Sequence, residues 1–94
     1  MMEEYKFRLY VTGQTPRSAH AISNLKQICD TILEGRGNFD VIDILTEPQI
    51  AEDELILATP TVARIRPLPQ RRVIGDLSDT ERVLLGLQIP LPTS

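Results

Sequence analysis

The sequence predicts one small α/β domain: a strand-helix-strand unit, then a short helix, a hairpin and a final helix. Three observations carry this expectation. Apolar residues recur with period two at 5–12, with helical period over 16–34, and as a near-continuous run at 39–45. Glycine and proline clusters separate these stretches. A length of 94 residues has room for one core, so the domain is taken as 1–94.

In the first strand, Tyr5, Phe7, Leu9 and Val11 face one way, and Lys6, Arg8, Tyr10 and Thr12 the other. Thr15 then supplies an N-cap oxygen. Pro16 takes the first helical position, where its missing N–H costs nothing. Ile22, Leu25, Ile28, Cys29, Ile32 and Leu33 form the apolar stripe of a helix over about 16–34, which Gly35-Arg36-Gly37-Asn38 breaks. Residues 39–45 read as a second strand, continuous enough in apolar residues to be a central parallel one. A right-handed crossover then joins two parallel strands.

Thr46-Glu47-Pro48 opens a short helix to about Glu54; Glu52, Asp53 and Glu54 lie at its end, against the helix dipole. Val62-Ala63-Arg64-Ile65 and Arg71-Arg72-Val73-Ile74-Gly75 form a hairpin around Pro67-Leu68-Pro69. Ser78-Asp79-Thr80-Glu81 reads as a capping box, Val83 to Leu87 as the last helix, and Pro90 and Pro92 as its end. The order β-α-β-α-β-β-α is that of the thioredoxin-like fold.

Composition excludes several function classes. Net charge is −3, and acids interrupt the basic residues, which disfavours nucleic acid. A lone Cys29 rules out an internal disulfide. No apolar run approaches the roughly 20 residues that cross a bilayer, and Met1-Met2-Glu3-Glu4 is acidic where a signal peptide is basic. We therefore expect a cytoplasmic protein without membrane contact.

The chemistry of a thioredoxin-like enzyme needs a thiol at the start of the first helix. Gly13-Gln14-Thr15-Pro16 holds none, and Cys29 falls on the apolar stripe as a small buried hydrophobe. Neither His20 with Cys29 nor the acids at 47–54 has the ligand pattern of a metal site, and Gly13 alone is no phosphate loop, so no cofactor is expected. His20 reads as a solvent-facing helix residue, with a pH-sensitive contact as the alternative. Pro60 sits where such folds keep a cis proline. Arg64, Arg66, Arg71 and Arg72 form a basic cluster that either meets an acidic protein partner or pairs internally with Asp76 and Asp79.

Three ordered blocks carry a family resemblance. They are Leu9-Tyr10-Val11-Thr12-Gly13-Gln14-Thr15-Pro16; Val41 to Leu45 with Pro48 to Glu52 and Ile56-Leu57-Ala58-Thr59-Pro60-Thr61; and Arg71 to Ser78 running on to Val83-Leu84-Leu85-Gly86-Leu87. Over about residues 7–87 the chain resembles the KaiB family of circadian clock proteins. The resemblance implies a non-enzymatic, metamorphic binding protein. One packing is the thioredoxin-like, fold-switched form, which is monomeric and binds the hexameric ATPase KaiC. The other is a ground state of order β-α-β-β-α-α-β, usually tetrameric. The resemblance also implies sequestration of KaiA and competition with the sensor kinase SasA, gated by the population of the competent packing.

By the same resemblance, partner binding falls on Arg17 and His20 of the first helix and on Asp40, Gln49 and Leu55. Fold switching falls on Pro60, Pro67, Pro69, Gly86 and Gln88. The chain departs from the clock pattern at several of these positions. His20 stands where the family has Arg, and Asp40 and Leu55 where it has Lys. Gln88 replaces an Asp, Leu91 a Tyr, and Pro67-Leu68-Pro69 breaks a proline run. The chain ends at Ser94 without the family's acidic tail. These changes mark a diverged paralogue, a monomer or weak oligomer, whose thioredoxin-like form dominates without a partner. Two rival readings are a SasA-type input domain, which expects a kinase segment beyond residue 94, and a cysteine-free relic of a redox enzyme.

Overall fold

A computed structural model describes residues 3–90. The expectations for Leu91, Pro92 and Ser94 lie outside the described residues. Strand β1 (Tyr5–Val11) leads to helix α1 (Pro16–Gln27), which continues as a π-helical turn over Ile28–Ile32. Strand β2 (Gly37–Asp43), helix α2 (Pro48–Asp53), strands β3 (Thr61–Arg66) and β4 (Arg71–Ile74), and helix α3 (Thr80–Gly86) follow. The order β-α-β-α-β-β-α is the one expected, rather than the β-α-β-β-α-α-β arrangement.

The four strands lie in the order β2-β1-β3-β4. β1 runs parallel to β2, with Phe7 beside Phe39, and antiparallel to β3, with Leu9 beside Val62. β3 and β4 form the expected hairpin. One sheet face carries Phe7, Leu9, Val62 and Val73 against Ala21, Leu25 and Cys29 of the first helical stretch and Val83, Leu84 and Leu87 of the last. This is the core, and Phe7, Leu9, Leu25, Val62 and Leu87 are 0% exposed. On the opposite face Tyr10 and Ala63 are buried, yet α2 buries no residue of its own.

Capping follows local chemistry. Thr15 Oγ1 accepts the Ser18 N–H at 3.1 Å, and Pro16 opens α1, as the sequence indicates. α1 keeps regular α geometry only to Gln27. The Thr31 hydroxyl donates back to the Gln27 carbonyl at 2.6 Å, within the turn where the backbone widens to π spacing.

Three expectations need correction. β2 is an edge strand, not a central one, and it spans Gly37–Asp43 rather than 39–45. Its early end follows from Asp43, whose Oδ1 accepts the Leu45 N–H at 2.9 Å and turns the chain. The cap of α3 is Asp79, which accepts the Arg82 N–H at 3.2 Å, rather than a Ser78–Glu81 box. Ser78 is held elsewhere, its own N–H donating to Asp76 Oδ1 at 3.1 Å.

The positions singled out for fold choice gather at the ends of β3, β4 and α3. Pro60, Pro67 and Pro69 all follow cis peptide bonds. A Cβ added at Gly86 would stand 2.5 Å from Val73 Cγ2, so glycine lets α3 lie close on β4. Gln88 adopts φ +55° as the residue after the α3 cap. The Ile89 N–H reaches back to the Leu84 carbonyl at 2.8 Å and that of Gln88 to Leu85 at 3.1 Å, a Schellman closure that glycine or asparagine fits better. The Gln88 carbonyl in turn accepts Arg64 Nη1 at 3.1 Å.

Candidate partner-binding surface

The turn before α1 and the loop before β3 meet through a hydrogen bond between the Thr12 and Thr59 hydroxyls. Pro60 follows directly and is buried. This is the corner where a redox enzyme of this arrangement would keep its thiols, and here Thr15 and Pro16 occupy it. Cys29 lies in the core, 2% exposed, and burial pushes its thiol up to about 11. A thiol held neutral and sealed at physiological pH is a packing group, not a nucleophile.

The same corner is shaped by Asp43. Its Oδ1 accepts the N–H groups of Gly13 at 3.0 Å and Leu45 at 2.9 Å, tying the end of β2 to the turn before α1. Gly13, at φ +68°, needs the left-handed backbone that glycine allows. A cavity of about 370 Å³ opens beside it, lined by Val11, Ala19, Ile22 and Val41 among others.

The site residues read from sequence fall into two groups. Arg17 and His20 are exposed on α1 and stand near Asp76. The Asp76 carboxyl is lowered chiefly by its hydrogen bonds from Ser78, and further by Arg17 and His20. Asp40, Gln49 and Leu55 belong to the α2 side of the sheet. Asp40 pairs with Lys6 at 3.2 Å, and Gln49 Nε2 donates to Asp53 at 2.8 Å. The Arg8 guanidinium, raised mainly by the Tyr10 phenol, also feels Glu54 and Asp40, so these acids face a common cation.

α2 is fastened by polar contacts rather than by a buried stripe. Arg72 Nη2 stands 3.7 Å from Glu54, and Arg72 Nη1 donates to the Leu55 carbonyl at 3.4 Å. This bears on one of the two alternatives for the basic cluster, internal pairing with Asp76 and Asp79. Arg72 meets Glu54, and Arg64 meets backbone carbonyls; among the described residues neither pairs with Asp76 or Asp79. The geometry explains why: β4 directs Arg72 to the α2 face, whereas Asp76 and Asp79 follow its end toward α1.

Leu55 is the least ordinary residue of this surface. It sits at φ +56° and is 72% exposed. The Ile56 N–H bonds the Ala51 carbonyl at 2.8 Å and that of Leu55 bonds Glu52 at 3.2 Å, so Leu55 fills a helix-ending position that glycine usually takes. A left-handed leucine costs about 1–2 kcal/mol and here gains no burial in return. Leu57, two residues on, is also exposed, at 92%, as is Leu45 beyond the end of β2, at 66%. Apolar periodicity gives no warning of this, because it assigns such residues to a core.

Comparison with known proteins gives the same fold and a family. The KaiB domain model matches residues 8–89. The circadian clock oscillator protein KaiB of Synechococcus elongatus is 52% identical over 85 residues, covering 90% of this chain and 83% of the relative. The protein of the same name from a strain of Prochlorococcus marinus is 53% identical over 85 residues, covering 90% and 73%. Among solved structures, the N-terminal domain of Synechococcus elongatus SasA superposes with a TM-score of 0.71 at 21% identity, covering 100% of this chain and 92% of that one. Chloroplastic thioredoxin z gives 0.72 at 19% identity, covering 93% and 79%. The fold is therefore thioredoxin-like. Among the described residues, no helix is long and apolar enough to cross a membrane.

Proposed function

This chain belongs to the KaiB family, and on that premise we propose that it is a non-enzymatic clock or signalling adaptor that binds a KaiC-type hexameric ATPase in the cytoplasm. The observation that carries the reading is the family match itself, which runs unbroken from β1 to beyond α3 and so includes the whole α2 side of the sheet. The binding surface is that side, from Asp40 through Gln49 to Leu55, together with Arg17 and His20 of α1. Leu55 supports the location of this surface physically, whichever partner takes it. A strained, exposed leucine that serves no core has a use outside the fold.

The mechanism is competition for a partner surface. A SasA-type domain shares this fold, so the two would contend for one ring, with KaiA engaged indirectly. The thioredoxin-like packing is the competent state, and a ring that binds it alone raises its population. Fold switching to the ground-state arrangement lowers apparent affinity by the fraction lost. The competent species is a monomer, and the tetramer belongs to the other packing.

A second reading, an adaptor for a non-clock partner, is favoured by His20, Asp40 and Leu55. Each replaces a cation expected in clock members, and exchanging a cation for Asp40 turns attraction into repulsion at an acidic partner. Size-exclusion chromatography of the chain with a KaiC-type hexamer and ATP tests the leading reading. We expect co-elution with the ring, and displacement by a SasA-type N-terminal domain. Elution as free monomer at micromolar concentrations of both proteins would leave the second reading in its place.

A further inference from the structure

We propose that the free edge of β4 accepts an extended segment of a partner protein in which apolar and acidic residues alternate, adding a fifth strand to the sheet. Among the described residues β4 ends the sheet and pairs only with β3. The Gly75 N–H donates to the Pro60 carbonyl at 2.8 Å. Antiparallel partners alternate between exchanging both backbone bonds and exchanging none. Counting by two from Gly75 along the register, Val73 and Arg71 bond to Val62 and Arg64. The backbone N–H and C=O groups of Arg72 and Ile74 therefore point away from β3, where an added strand would find them.

The surroundings of this edge select the segment. On the α2 face a groove of about 260 Å³ is lined by Ile56, Leu57, Arg72 and Ile74 among others. Ile74 is 52% exposed and Leu57 92%. Every second side chain of an added strand would fall on this face, so apolar residues at those positions cover the groove. Charge sets the rest. Arg71 and Arg72 stand side by side on the edge strand, on opposite faces. Arg72 has Glu54 at 3.7 Å, and Arg71 makes no ion pair among the described residues. A second copy paired in register would set arginine against arginine, which is unfavourable across a strand pair, whereas the acidic residues of an alternating segment fall on the other face and complement Arg71. The β2 edge offers the reverse, since it carries Asp40 and Asp43.

The surface adjoins the one proposed above at Leu55 but does not depend on a KaiC-type partner. Its test uses the whole chain and a capped octapeptide alternating Val and Glu, with a Val–Lys octapeptide as control, read by residue-resolved amide exchange. We expect the Arg72 and Ile74 amides to exchange about tenfold more slowly at a peptide concentration ten times its Kd. Arg71 and Val73, already bonded to β3, should change little. Arg71→Glu, which leaves the Arg72–Glu54 pair in place, should weaken binding roughly three- to tenfold. Added salt should weaken binding to the unmutated chain in the same direction. Protection along Gly37–Asp43 instead, an equal response to the Val–Lys peptide, self-association through β4 or no response would each overturn the proposal.

Discussion

Replacing Arg64 by Met lowers the stability of the thioredoxin-like packing by about 2–3 kcal/mol, a large share of what a domain of this size has. Arg64 is 4% exposed and stands beside Phe7 in the sheet register. No acid meets it among the described residues. Its Nη2 instead donates to the Pro69 carbonyl at 2.7 Å and its Nη1 to the Gln88 carbonyl at 3.1 Å, while Nε is buried without a partner. One side chain thus ties the β3–β4 loop to the turn that ends α3.

Methionine keeps the length and the apolar stem but removes both bonds. Bonds to a charged donor contribute about 1.5–3 kcal/mol each, and relief from burying a lone cation offsets part of that loss. The net effect remains destabilising because two carbonyls lose their donor at once. Arg64→Lys should recover only part, since an ammonium lacks the planar fork that reaches two acceptors. Urea unfolding measures the loss. Amide exchange locates it, because the Ile89 N–H, bonded to Leu84, should lose protection first.

Leu55→Gly should move stability and binding in opposite directions. Glycine relieves the left-handed strain at φ +56°, and the greater freedom of the unfolded chain offsets part of that relief. A net stabilisation of about 0.5–1 kcal/mol is expected. The same change removes the exposed side chain from the partner face. If Leu55 anchors the contact, affinity for the ring falls about ten- to a hundredfold, as for a central interface residue. Denaturant midpoints and a binding isotherm on one preparation check both halves. Higher stability with unchanged affinity would make Leu55 a tolerated defect rather than a binding residue.

What the sequence made legible was local. The alternation of β1, the Thr15 cap and the stripe of α1 depend on near neighbours, and the structure has them where expected. The position of β2 in the sheet depends on which strand β3 joins, and a hydrophobic run carries no such information. Its apolar Val41, and Leu45 beyond its end, are exposed instead of central. The α3 cap moved by one residue because Asp76 had already engaged Ser78, a competition between two adjacent turn formers. Arg64 was within reach of sequence reading. Strand parity puts it on the same face as Val62, so it had to point inward, yet grouping it with Arg66, Arg71 and Arg72 hid this. The left-handed Leu55 and Gln88 gave no signal, because nothing but glycine or asparagine announces such a turn.

Residue-resolved backbone chemical shifts of the whole chain, alone and with a KaiC-type hexamer, test the central claim most directly. In the free protein they should report strands at 61–66 and 71–74 and a helix at 80–86. On addition of the ring, signals from Arg17, His20, Asp40, Gln49 and Leu55 should be lost to the large complex before those of the β4 edge. Helical shifts across 61–74 in the free chain, or a spectrum that the ring leaves untouched, would contradict the account.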